Sequence, residues 1–190
     1  MAEIRVFIAA LLTADLKAKI KAVQDRFRQA DPDVKWVAAE NFHVTLKFLG
    51  DVAEDRLESV CRAVEAAAAG VRPFAVTVSG AGTFPNPRRP RVVWVGLGSG
   101  FDQLAALAGR VESELAGIGF PKEDRRFSAH VTIGRVRDNR RTDALAEALE
   151  SADVGEIGAV DVSAVAVMRS DLRREGPIYS VLREVQLESP

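Results

Sequence analysis

The chain holds two histidines in 190 residues, and both open the same short pattern. His43-Val44-Thr45-Leu46 and His130-Val131-Thr132-Ile133 each read His-x-Thr-x with x apolar. A β-strand sends successive side chains to opposite faces, so His and Thr two residues apart share a face while the apolar residues turn to a core. The pattern therefore predicts two half-buried strands, each with an imidazole and a hydroxyl on its polar face. The alternation extends beyond the motifs. Over residues 41–49 it places Phe42, Val44, Leu46 and Phe48 on one face and His43, Thr45 and Lys47 on the other; residues 128–136 form the second such strand. Clean alternation of this kind favours antiparallel sheets with one solvated face.

Around these strands the remaining segments fall into a weak internal repeat. Residues 5–11 read as a strand with Arg5, Phe7 and Ala9 on one face. Thr13 can cap a helix whose stripe is Leu16, Ile20, Val23 and Phe27, ended by Asp31-Pro32-Asp33. A short extended piece covers 34–37, and Gly50-Asp51 closes the first motif strand. A helix is predicted over 54–69, a strand over 74–78, a Pro/Gly-punctuated loop over 80–90 and a strand over 92–95. Gly96 to Gly100 make a turn into a helix carrying Leu104, Leu107, Val111, Leu115 and Ile118. Thr142 can cap a short helix to about Glu150, and two closing strands are expected near 160–168 and 178–187. The expectation is an α+β fold. Two small antiparallel sheets carry helices on their outer faces and turn their polar faces to a groove.

The inventory of reactive groups narrows the chemistry. Zinc asks for three or four His, Cys or carboxylate ligands, and the lone cysteine, Cys61, lies on the apolar stripe of a predicted helix. No Gly-x-Ser-x-Gly elbow is present for a Ser-His-Asp triad, which would in any case leave the second motif unexplained. Neither a metal nor a cofactor is expected: Gly96-Leu97-Gly98-Ser99-Gly100 has the wrong spacing for a dinucleotide fingerprint. Two histidines without a metal suit concerted acid/base catalysis, since an unperturbed pKa of ~6.5 serves both roles. Thr45 and Thr132 can hold phosphate oxygens, and an arginine is needed against growing negative charge. Arg135 is the candidate. On a regular strand it would face away from His130, so it requires a bend or bulge near Gly134.

Charge and composition bound the setting. A net charge of −1 gives no global footprint for long nucleic acid, yet arginines crowd at 88, 89 and 91 and at 125, 126, 135, 137, 140 and 141. No apolar run approaches the ~18 residues of a membrane span. The start lacks the features of a signal peptide and one cysteine forms no internal disulfide, so a cytoplasmic protein is expected.

At these residues the chain resembles the 2H phosphoesterase superfamily, and within it the RNA 2′,3′-cyclic phosphodiesterases, or LigT-type 2′-5′ RNA ligases. Arg5-Val6-Phe7-Ile8-Ala9 resembles their opening strand, Glu40 through Gly50 their first motif and Arg91-Val92-Val93-Trp94 a middle strand. Phe127 through Arg135 is similar to the second motif with its trailing arginine, and Ser170 through Tyr179 to a loop and strand near the end. Ala129 stands where proline is common, and Gly134 where alanine or leucine is common.

The resemblance implies one bilobal domain over 1–190 with pseudo-two-fold symmetry and one motif per lobe facing a central cleft. It implies metal-independent hydrolysis of RNA 2′,3′-cyclic phosphate ends to 2′-phosphates, with reversible 2′-5′ RNA ligation at the same site. His43 would be the proton donor, His130 the proton acceptor, and Thr45, Thr132 and Arg135 the phosphate ligands. The expected partner is RNA with such ends, tRNA fragments among them, or related nucleotides, acted on by a monomer away from membranes. Small cyclic nucleotides, 2′-5′ oligonucleotides and a non-catalytic RNA-end binder stand as alternatives. RNA ends are held by stacking on aromatics, for which Phe7 and Trp94 are candidates.

Overall fold

Local pattern becomes structure first along the edges of the two motifs. A computed structural model describes residues 2–30, 33–137, 143–174 and 176–188; Asp31, Pro32, Arg140, Arg141, Thr142 and Glu175 lie outside them. Strand β1 (Glu3–Leu11) leads into helix α1 (Ala14–Arg28), whose N-cap Thr13 accepts the Leu16 amide as its spacing predicts. The short β2 (Val34–Trp36) precedes β3 (His43–Ala53), which carries the first motif, and α2 (Leu57–Ala68). Then come β4 (Phe74–Phe84), β5 (Val92–Leu97), α3 (Phe101–Gly117) and β6 (His130–Val136), which carries the second motif. Helix α4 (Asp143–Ser151) and strands β7 (Glu156–Val162), β8 (Ala164–Leu172) and β9 (Pro177–Gln186) complete the described chain.

Every described pairing is antiparallel, and the strands join in the order β7-β4-β5-β6-β3-β1-β8-β9, with β2 added on β6. The two expected sheets are thus two four-strand halves of one curled sheet. Among the described residues the halves meet at one pair, Val44 of β3 against Val131 of β6. Each of these valines is the residue after a motif histidine. The four helices back one face of the sheet, where Leu16, Val64, Leu107 and Leu145 pack with Ile8, Val44, Val95 and Val131 in the main core. The opposite face carries the motif histidines and a second small cluster of Phe7, Ala9, Ala166 and Met168 flanked by Leu11 and Tyr179.

Three segments differ from the sequence expectation. The 80–90 loop is shorter, because β4 runs on to Phe84 with a register step beside Gly80. Gly50 does not end β3: it takes φ +74° and the strand continues to Ala53. The expected strand over 160–168 is two strands that break at Ser163. β7 pairs with β4 at one edge of the sheet and β8 with β1 near the other, so at Ser163 the chain passes directly from one half-sheet to the other.

Candidate active site

Each motif histidine is oriented by the carbonyl two residues before it. His43 Nδ1 lies 2.8 Å from Asn41 O, and His130 Nδ1 lies 2.7 Å from Ser128 O. A carbonyl oxygen only accepts, so Nδ1 carries a proton in both rings and Nε2 is the nitrogen left for proton exchange. His43 Nε2 stands 3.0 Å from Thr45 Oγ1. The Val44–Val131 pair sets the register: His43 falls across from Thr132, and Thr45 across from His130. Side chains directly opposed in this way lie roughly 5 Å apart. Two imidazoles and two hydroxyls therefore alternate around one spot on the polar face.

Arg135 joins them through a bulge. Val92, Trp94 and Gly96 of β5 oppose Arg135, Thr132 and His130, while Val93 opposes Gly134; the register steps by one between Val93 and Trp94. Ile133 is the extra residue, and it turns Arg135 back onto the face of His130 and Thr132. Ile133 O accepts from the Val37 amide (3.0 Å) and from Gln24 Nε2 (2.8 Å). Gly134 has a separate reason: a Cβ there would meet Val34 Cγ1 at 2.7 Å, so the residue admits β2 alongside.

The first motif bulges at the matching place. Against β1 its register steps at Leu46, three residues after His43 as Ile133 is after His130, and again at Leu49. The step reverses the expected alternation. Lys47 turns away from His43 and is 3% exposed, its Nζ donating to Glu112 Oε1 (3.1 Å) and Pro121 O (2.9 Å). Phe48 turns onto the histidine face, 57% exposed and opposite Phe7.

Burial and positive charge hold both imidazoles neutral. Burial is the largest cause at His43, opposed by the Asn41 carbonyl and reinforced by Lys17, His130 and Arg135; its pKa falls to about 4. Burial likewise lowers His130, opposed by the Ser128 carbonyl and aided by Arg135. Arg135 thus acts on both rings. Aromatic rings form the walls: Phe7 lies 4.8 Å from His43, Tyr179 5.3 Å from it edge-on, and Phe84 5.0 Å from His130 edge-on.

As a stacking platform Phe7 does not fit. It is 2% exposed, packed among the side chains of His43, Phe48 and Tyr179 and clustered with Ala166 and Met168 of the neighbouring β8. Trp94 is half-buried on the histidine face, its indole lying over Gly82, where a Cβ would come within 2.5 Å of the ring. Sequence reasoning missed Lys17, Gln24, Phe48, Phe84 and Tyr179. For Tyr179 the spacing to the motifs carried no signal; β9 brings it in. Among the described residues no group of three or more His, Cys, Asp or Glu gathers at metal-binding distance, and no helix is long and apolar enough to cross a membrane.

The chain is similar to known proteins in both sequence and fold. The family model "LigT like Phosphoesterase" matches the chain twice, over residues 11–94 and 95–179. An RNA 2′,3′-cyclic phosphodiesterase of Methanothermobacter thermautotrophicus is 37% identical over 97% of this chain and 100% of its own length. One of Thermotoga maritima is 35% identical over 97% and 96%. Among solved structures, TT0787 of Thermus thermophilus superposes with a TM-score of 0.80 at 26% identity, covering 96% of this chain and 97% of that one. E. coli LigT complexed with 3′-AMP gives 0.79 at 25% identity, over 99% and 100%.

Proposed function

The chain belongs to the LigT-like phosphoesterase family, and from that premise we propose that it hydrolyses RNA 2′,3′-cyclic phosphate ends to 2′-phosphates with His43 and His130 as acid and base. His130 Nε2 takes a proton from water as the water oxygen attacks phosphorus. The P–O3′ bond breaks, and O3′ receives the proton from His43 Nε2. The reaction leaves His130 protonated and His43 neutral, and exchange with solvent resets the pair. Thr45 and Thr132 donate to the non-bridging oxygens, and Arg135 offsets the charge that builds there. The observation that carries this reading is the bulge at Ile133, which brings a guanidinium onto the face where the two His-Thr pairs meet.

No metal takes part in this scheme. The substrate is the terminal nucleotide of an RNA such as a tRNA fragment, and the enzyme is a cytoplasmic monomer of one bilobal domain over 1–190. With a 5′-hydroxyl in place of water, the same steps, attack on phosphorus with departure of O3′, give a 2′-5′ linkage, and the reverse attack of O3′ cleaves it. An oligonucleotide with a 2′,3′-cyclic end, incubated in excess EDTA, should yield a 2′-phosphate. His43→Ala and His130→Ala should each lose roughly 10²–10⁴ in kcat, the usual worth of a positioned acid or base. Replacing O3′ by sulfur, which departs without a proton, should restore turnover to His43→Ala alone. Release of a 3′-phosphate, loss of activity in EDTA, or equal rescue of both variants would refute the scheme.

A further inference from the structure

The two histidines match in motif, bulge and orientation, yet the segments that lead into them differ. Ahead of His43 the chain makes a single 3-10 turn, Ala39–Asn41, and each carbonyl of that turn has its own partner. Ala39 O accepts the Phe42 amide (3.1 Å), Glu40 O accepts Lys17 Nζ (2.8 Å) and Asn41 O accepts from His43 Nδ1 (2.8 Å). The Asn41 side chain reaches elsewhere: its Nδ2 donates to Pro177 O at 2.9 Å, across 136 positions of sequence. Ahead of His130, Ser128 offers the same backbone carbonyl. Among the described residues its side chain makes no matching bond to a distant strand.

Pro177 opens β9, in a part of the β8–β9 hairpin that runs past its neighbour. The described pairing of β1 with β8 covers only Ala166 to Arg169. From Ser170 to Tyr179 the described hairpin pairs with itself, Leu172 against Pro177 and Asp171 against Ile178. Leu172 is 67% and Ile178 47% exposed, so burial holds this arm weakly. Among the described residues one hydrogen bond joins the arm to the rest of the chain, that from Asn41 to Pro177. Two residues on, the Tyr179 ring stands edge-on to Phe7 at 4.9 Å and to His43 at 5.3 Å.

We propose that Asn41 is a positioning residue for His43: its side chain seats the β8–β9 arm, which lays Tyr179 against the imidazole, while its backbone carbonyl holds Nδ1–H. One residue thus fixes the ring from two sides and leaves Nε2 to face the reacting phosphate. Asn41 touches no reacting atom and acts through His43, so the proposal rests on the donor role given above. With the arm unseated, the ring leaves the Asn41 carbonyl. A neutral imidazole released from that bond also takes up the Nε2–H tautomer.

The test pairs two variants with two substrates. Asn41→Ala removes the tether, and Asn41→Leu keeps its volume without a donor. With O3′ as leaving atom each should lose about tenfold or more in kcat with little change in KM, the scale of a misplaced catalytic group. With sulfur in place of O3′, which departs without a proton, the loss should vanish. An equal loss on both substrates marks a merely structural role and overturns the proposal, as does an unchanged kcat on the oxygen substrate. His43→Ala is the control: if sulfur fails to rescue it, the donor role falls. NMR then decides the part of Asn41 independently of turnover. The chain has two histidines and one tyrosine, so their ring signals are readily assigned. In both variants His43 should populate the Nε2–H tautomer and Tyr179 should lose its contact with Phe7, while His130 keeps Nδ1–H. A His43 tautomer or a Tyr179 contact that stays as in the unaltered protein overturns the proposal.

Discussion

At the scale of single residues, the site is set by how two imidazoles are kept neutral. Both Nδ1 atoms are committed to carbonyls, and burial with nearby cations lowers both pKa values, that of His43 to about 4. In the proposed acid/base scheme the working form has one ring protonated and the other neutral. The rate therefore rises as pH climbs through the lower ionisation and falls as it passes the upper one. In the free enzyme both lie below the ordinary ~6.5 of histidine, so kcat/KM should trace a bell whose alkaline limb falls below pH 6.5. These limbs belong to the coupled pair rather than to either ring alone. Bound substrate brings a negative phosphodiester and raises both values, so the kcat bell should sit at higher pH. A kcat/KM profile with a single ionisation, or with its alkaline limb above 7, would count against two working histidines. The carbonyl partners at Asn41 and Ser128 also explain why each motif residue can be read locally: the contact spans two residues.

Elements contribute what single residues cannot, namely which side chains share a face. Each motif strand bulges at its fourth residue, Leu46 or Ile133. After the bulge, the fifth residue beyond histidine returns to the polar face: Phe48 on β3 and Arg135 on β6. An extra residue leaves backbone groups outside the ladder, and a buried carbonyl without partners costs about 1–3 kcal/mol. On β6 that carbonyl is Ile133 O, held by Val37 N and by Gln24, a fully buried side chain on α1 whose amide also reaches Val37 O at 2.7 Å. Gln24 is thus a positioning residue for Arg135. Gln24→Leu should lower kcat/KM by about tenfold, and in an Arg135→Ala background it should lower it little further. Equal losses in both backgrounds, read in a double-mutant cycle, would show that Gln24 supports stability alone. On β3 the bulge sends Lys47 down to Glu112, whose Oε1 also accepts the Glu123 amide, so the first motif strand fastens the approach to the second.

For the whole molecule, the decisive feature is how the chain distributes strands between the two half-sheets. β4, from the first half of the sequence, lies between β7 and β5 of the second; β8 and β9, from the second half, extend the sheet beyond β1 of the first. Each half-sheet is therefore built from both halves of the chain. Fragments 1–90 and 91–190, cut within the turn between β4 and β5, should each lack dispersed amide NMR spectra alone and recover them on mixing. A fragment that folds by itself would contradict one domain over 1–190. The sequence by itself determined the two His-Thr strands, the capped and striped helices, and the acid/base inventory, because strand alternation, helical period and capping act within a few residues. The tertiary structure alone decided that one sheet joins the motifs through Val44 and Val131. It also decided that bulges at Leu46 and Ile133 bury Lys47 and expose Phe48 and Arg135 on the working face, and that Tyr179 walls His43. The reason is physical: register and bulges are fixed by partner strands that arrive from distant parts of the chain, and no local period records which strand that partner is.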